Sequence, residues 1–317
     1  MLGFIAACGV GLTVLLFAAD QLVLGSARTA AWLRLPPTVV GVVVIGFGTS
    51  APELVASGLA AAAGKPGLAM GNIVGSNLAN LTLVLGSAGL FGTVAATSSV
   101  LRREAPLSVA AVLLFAVLVR DGLGRADGLV LAAALAACLG WLVRGALRRP
   151  KDALGGDVAE FVAGDPRHRW GVELTRTLLA LAGTLAGAQL LVWGAAGIAE
   201  QARLSQAVVG ATVVAVGTSA PELVTAIQAA RRGEADLLVG NVLGSNLFNS
   251  LAVGAVVALA GPGVAAGQAV AARLAVVLMV TVSLGAWWFL FRDRRLLRWE
   301  AAMLLVAWPV TVVLLGR

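Results

Sequence analysis

The sequence predicts an all-α integral membrane protein of ten transmembrane helices, built as two five-helix repeats of inverted topology. Three observations predict it. Charge is too scarce to clothe a water-facing surface, bilayer-length apolar runs recur along the chain, and one pair of polar motifs occurs twice. Of 317 residues, 59% are hydrophobic and 12% are charged. That is half the charge of a soluble domain, about 25%, and the mean hydropathy is +0.94.

The apolar runs cover 2–25, 38–62, 68–92, 105–120, 128–147, 173–198, 207–230, 237–260, 269–291 and 299–315. Many reach the roughly 20 residues that cross a bilayer, and a cleaved leader would account for only one of them. The longest polar stretch, 148–171, contains Arg148, Arg149, Lys151, Asp152 and His168. It is too short for a domain and reads as a linker. The chain therefore divides into a first five-helix repeat at 1–147, a cytoplasmic linker at 148–171 and a second five-helix repeat at 172–317.

Orientation follows from the positive charges, which favour the cytoplasmic loops. With the N-terminus outside, the cytoplasmic connections hold Arg28 and Arg34, Arg102 and Arg103, the linker cluster, Arg231 and Arg232, and Arg292, Arg294, Arg295 and Arg298. The opposite side keeps Lys65, Arg120, Arg125, Arg203, Arg273 and Arg317. Both termini are thus expected on the extracytoplasmic side of the cell (inner or plasma) membrane, with the lipid bilayer as the surrounding partner. The net charge of +7 belongs to these short loops, so nucleic acid is not an expected partner. Cys8 and Cys138 lie in apolar runs, and with a single His168 they cannot make a Cys/His metal site. No membrane nucleophile–base set is present either, so an enzyme is not expected.

The strongest signal is internal. Residues 46–80 contain GFGTSAPELV and then GNIVGSNLAN; residues 215–249 contain AVGTSAPELV and then GNVLGSNLFN. Glu53 and Glu222 stand 169 positions apart, as do Asn80 and Asn249, Gly25 and Gly194, and Gly41 and Gly210. Five helices per copy is an odd number, so the second copy enters the membrane from the opposite side. Inverted repeats of this kind place transport sites near the bilayer midplane, where the copies meet.

Each motif can be read chemically. Pro52 and Pro221 lack the N–H of a helical residue and force a kink or break. A break at membrane depth frees carbonyls that protein, water or an ion must satisfy. Thr49 and Glu53 share a helix face, with Ser50 beside them, and Thr218, Ser219 and Glu222 repeat the arrangement. The following helices supply Gly71-Asn72 and Gly75-Ser76-Asn77, with Ser76 and Asn80 on one face and Ser245 and Asn249 on its copy. Oxygen donors of this kind suit a hard cation such as calcium, and two carboxylates match one divalent charge. A carboxylate at the bilayer centre costs at least about 2.5–3.5 kcal/mol, a penalty that helix packing alone does not explain twice. Asp20, beside Gln21 and matched by Gln189, reads instead as a near-interface polar residue.

At these motifs the chain resembles the calcium/cation antiporter superfamily, specifically the prokaryotic sodium/calcium exchangers. The duplicated GTSAPEL and GN-GSN pair is highly specific, and the ten-helix pattern extends the likeness over nearly the whole chain. The resemblance implies exchange of calcium for sodium by alternating access, with those ions as transported cargo and no cofactor. Glu53 and Glu222 would be central carboxylates shared by both ions, with the main-chain carbonyls of Thr49 and Thr218 completing a calcium site. Ser50 and Ser76 with the carbonyl of Gly46 would line one sodium site. Ser219 and Ser245 with the carbonyl of Ala215 would line its counterpart, and Asn80 and Asn249 would flank the middle. The potassium-dependent branch has Asp at the position of Asn249, and the proton-coupled branch carries a Glu soon after the Gly-Asn pair; this chain has neither. A proton/calcium antiporter and, more distantly, a cation channel are the alternatives. The oligomeric state is open, with a monomer as the working expectation.

Overall fold

A computed structural model describes residues 1–32, 49–91, 94–95, 98–147, 170–232, 235–261 and 263–315. The elements follow the apolar runs. They are α1 (Leu2–Trp32), α2 (Ala51–Ala62), α3 (Pro66–Phe91), β1 (Val94–Ala95), α4 (Ser98–Leu118), α5 (Arg125–Leu147) and α6 (Trp170–Gln201). The second half continues with α7 (Gln206–Thr218), α8 (Ala220–Arg232), α9 (235–260), α10 (Ala266–Asp293), β2 (Arg295–Leu296) and α11 (Arg298–Leu315). The described residues are helical apart from two two-residue strands, isolated bridges and short turns. Among the described residues six helices are long and apolar enough to cross a bilayer, and the bent α7–α8 pair makes a seventh. Most of the segment expected as a linker, 148–169, lies outside the described residues.

Burial sorts the helices into a centre and a rim. The apolar span of α3 is 83% buried and that of α9 78%, whereas that of α5 is 11% buried. Large apolar side chains such as Phe17, Val117, Leu129, Leu179, Trp288 and Val306 are exposed on the rim. So much apolar exposure is untenable in water and fits a lipid-facing surface. The protein is an integral membrane protein.

Small residues set the two closest helix seams. α3 lays Gly71 and Gly75 on Ala207, Ala211 and Ala215 of α7. A Cβ at Gly75 would stand 2.5 Å from the Ala211 Cα. Along the other seam α1 runs antiparallel to α6: Gly194 meets Phe4 and Cys8, Gly187 meets Gly11 and Leu15, and Gly25 meets Thr177. Without side chains the backbones approach closely and gain dispersion contacts, the favoured way to join helices in lipid.

Both central helices widen at the same motif position. α3 contains a π turn at Asn80–Val84 and α9 one at Asn249–Val253; α7 carries another at Gly210–Val214. The loops then cross between halves. Val94 and Ala95, after α3, pair antiparallel with Leu296 and Arg295, between α10 and α11. Val264, after α9, exchanges two 2.9 Å hydrogen bonds with Leu123, between α4 and α5. The loop after each central helix is thus fastened to the other half. Buried Glu300 closes one of these ends, accepting from Leu297 N–H at 2.9 Å and from Arg292 Nη2 at 3.3 Å. That places a carboxylate at the N-terminus of α11, where the helix dipole favours it.

Candidate cation site

The serines ahead of the two prolines share one backbone conformation. Ser50, immediately before α2, has φ −90° and ψ 11°; Ser219, between α7 and α8, has φ −84° and ψ 8°. Proline disfavours helical geometry in the residue before it and removes one ladder donor, and the break falls just ahead of Pro52 and Pro221. The axes of α7 and α8 diverge by 43°. Past each break a new helix begins with the glutamate in its first turn, where the positive end of the dipole supports an anion.

The two glutamates are bonded across the halves. Ser219 Oγ donates to Glu53 Oε1 at 3.0 Å, and Ser50 Oγ donates to Glu222 Oε1 at 3.3 Å. Ser245 Oγ, from α9, also donates to Glu222 Oε1 at 3.4 Å. Both carboxylates are fully buried, and in each the second oxygen, Oε2, has no hydrogen-bond partner. Ser76 Oγ, Asn77 Oδ1, Asn80 Oδ1 and Asn249 Oδ1 are likewise buried and unpartnered. A native interior rarely leaves polar atoms unpaired, and buried carboxylates without a countercharge are costly. The unpartnered atoms are mostly oxygens gathered on α2, α3, α8 and α9. This donor set accepts a hard, hydrated-type cation and offers no thiolate or imidazole to a soft one.

The remaining sequence-predicted residues fall as follows. Thr218 is buried and Thr49 half-buried. Their hydroxyls point to asparagines of the other half: Thr218 Oγ1 donates to Asn72 Oδ1 at 3.3 Å and Thr49 Oγ1 to Asn241 Oδ1 at 3.4 Å. The Ala215 carbonyl already accepts from Ser219 N–H at 3.0 Å and, at 3.3 Å, shares the single Thr218 Oγ1 proton with Asn72 Oδ1. Gly46 lies outside the described residues. Asp20 is exposed and accepts from Gln21 Nε2 at 3.0 Å, away from the carboxylates' hydrogen bonds.

Sequence reasoning missed the layer that ties α3 to α9. Asn80 Nδ2 donates to Asn246 Oδ1 at 3.0 Å, Asn246 Nδ2 to the Asn77 carbonyl at 3.2 Å, and Asn77 Nδ2 to Ser250 Oγ at 3.0 Å. The signal available was the asparagine of each GSN triplet, Asn77 and Asn246. Ser57, one helical turn beyond Glu53, was missed too; it accepts from Asn72 Nδ2 at 2.9 Å.

The family profile described as sodium/calcium exchanger protein matches residues 3–144 and 174–316. The chain belongs to this family. It is 37% identical to CaxA of Alkalimonas amylolytica over 94% of both chains. It is 26% identical to the sodium/calcium exchanger MaX1 of Methanosarcina acetivorans over 96% of both. Among solved structures it resembles the sodium-calcium exchanger NCX_Mj soaked with Na+ and Sr2+, with TM-score 0.67, 28% identity and 98% of both chains covered. Family membership accords with a buried, oxygen-only site and with the membrane-facing rim.

Proposed function

We propose that this exchanger-family chain is a secondary active antiporter that moves calcium against sodium by alternating access. The observation that carries this reading is the pair of fully buried carboxylates, Glu53 and Glu222, each held by a serine of the opposite half and each keeping one unpartnered oxygen. The named relatives MaX1 and NCX_Mj, both described as sodium/calcium exchangers, support it. The architecture we propose is ten spans in two inverted repeats, 1–147 and 172–317, joined by a cytoplasmic linker at 148–171, with both termini outside. The antiparallel α1–α6 seam and the crossed loop pairings support that symmetry.

Calcium as substrate would be held by Glu53, Glu222 and the main-chain carbonyls of Thr49 and Thr218. The threonine hydroxyls, occupied by Asn241 and Asn72, leave that role to the carbonyls. Sodium would use Ser50, Ser76 and the Gly46 carbonyl on one side, and Ser219, Ser245 and the Ala215 carbonyl on the other, with Asn80 and Asn249 between. For sodium to use the Ala215 carbonyl, it must share that oxygen with two existing hydrogen bonds. A cation neutralises the carboxylates; without one, two bare charges resist passage through the apolar barrier. That rule couples the two ion fluxes and suppresses leak.

Reconstituted protein should take up calcium when an outward sodium gradient is imposed, and not when a potassium or proton gradient replaces it. Glu53→Gln and Glu222→Gln should each abolish this uptake, a loss of at least ~70-fold on the scale of about 2.5 kcal/mol or more for a buried charge. Normal exchange by either variant would rule the assignment out, and calcium flow without counterflow would establish a channel.

A further inference from the structure

The two ion-lining turns are matched in backbone but not in how they are held. Asn72 is fixed at both ends of its amide: Oδ1 accepts from Thr218 Oγ1 at 3.3 Å, and Nδ2 donates to Ser57 Oγ at 2.9 Å. It also reaches the Glu53 carbonyl at 3.5 Å. Its copy Asn241 accepts from Thr49 Oγ1 at 3.4 Å in the same way. Its Nδ2 is buried without a partner among the described residues. The cause is one residue. The copy of Ser57 is Ala226, 169 positions on and 1% exposed, which has no hydroxyl to accept.

We propose that Ser57 is a positioning residue that makes the Thr218 turn stiffer than the Thr49 turn, so that calcium binds more tightly in the conformation open to the side on which Thr218 lies. The inference rests on the exchange reading above. A carbonyl whose supporting threonine is locked through Asn72 to α2 is already placed for a cation. One whose support can swing must be ordered at the moment of binding, and preorganisation is what separates the two affinities. Thr49 and Asn241 are also half-buried, whereas Thr218, Asn72 and Ser57 are buried, so water competes at the weaker turn. In the orientation proposed, α7 runs inward from the outer face, which puts Thr218 on the extracytoplasmic side of Glu222 and Thr49 on the cytoplasmic side of Glu53.

The test is the apparent KM for calcium measured from each face, in right-side-out and inside-out vesicles containing the full chain. The unaltered protein should show the lower KM at the extracytoplasmic face. Ser57→Ala should raise that KM about two- to tenfold, the size of one lost hydrogen bond, with the cytoplasmic KM and the maximal rate nearly unchanged. Ser57→Thr, which keeps the hydroxyl, should preserve the KM. Ala226→Ser should lower the cytoplasmic KM, and the double change Ser57→Ala/Ala226→Ser should invert the ratio between faces. If the ratio is indifferent to these changes while Glu53→Gln remains inactive, the inference fails and the exchange reading stands. Exchange by Glu53→Gln would instead remove the reading beneath both. Should Ser57→Ala not fold, Ala226→Ser decides alone, because it adds a partner and removes none.

Discussion

Two glycine-lined seams run through this molecule, and they are built for different purposes. The α3–α7 seam lies in the centre and borders a layer of buried asparagines, serines and carboxylates, several of them tied across helices by hydrogen bonds, Asn80 to Asn246 and Thr218 to Asn72 among them. The α1–α6 seam is nearly bare of polar groups. Polar ties between the two helices include Cys8 Sγ with the Leu191 carbonyl at 3.8 Å and, at one end, Arg28 with Glu173 at 3.5 Å. The apolar spans of α1 and α6 are 33% and 44% buried, against 83% for α3. Directional bonds penalise sliding, whereas dispersion between smooth small-residue faces depends little on register. On the exchange reading proposed above, the contrast separates a part that must hold its geometry to bind ions from a part that can shift against it.

Substitution in the seams should expose that difference. The largest effect is expected from Gly75→Ala, whose methyl would stand 2.5 Å from the Ala211 Cα and 2.7 Å from the Ala215 Cβ. With α3 83% buried and the contact made backbone to backbone, the clash should cost about 1–3 kcal/mol or more. It should show as loss of monodisperse protein in detergent and a sharply lowered Tm. Gly187→Ala meets an equally close neighbour, Leu15 N at 2.6 Å, yet α1 can retreat into lipid. There the Tm should fall by only a few degrees while the exchange rate changes several-fold, and a folding defect as severe as that of Gly75→Ala would erase the distinction. The smallest effect belongs to Gly140→Ala in α5, where nothing lies within 4 Å. It should leave exchange intact and raise stability by roughly 0.5–1 kcal/mol, the helix penalty of glycine removed.

The sequence made the membrane class, the duplicated motifs and the family legible, because apolar periodicity and a repeated Glu-plus-Pro signal survive in one dimension. It also pointed to breaks at Pro52 and Pro221, since a missing N–H acts locally. The pairing across halves was not legible. Nothing in the string says that Ser219 donates to Glu53 rather than to Glu222, because that depends on how two inverted turns meet in space. Ser57 was overlooked for the same reason: its importance appears only when Asn72 is seen to need an acceptor. Four of the ten apolar runs are not among the six helices long and apolar enough to cross a bilayer, and three of them have visible reasons. The helix at 206–232 is broken at Ser219, the first two turns of α4 hold Arg102, Arg103 and Glu104, and the first part of the 38–62 run lies outside the described residues.

The widened turn of α3 changes which neighbour that helix addresses. Gly75 faces α7, whereas Gly86 faces Ala301 and Leu305 of α11. The two glycines are eleven residues apart, about three full turns at 3.6 residues per turn, so an unbroken α-helix would aim both at one partner. The π turn at Asn80–Val84 lies between them and accommodates an additional residue in the ladder, rotating everything beyond it. One rod thereby serves as a joint between two walls, and the swivel sits at the level of Asn80. A cation passing that level would meet the backbone at the place where its hydrogen bonds are already spread widest.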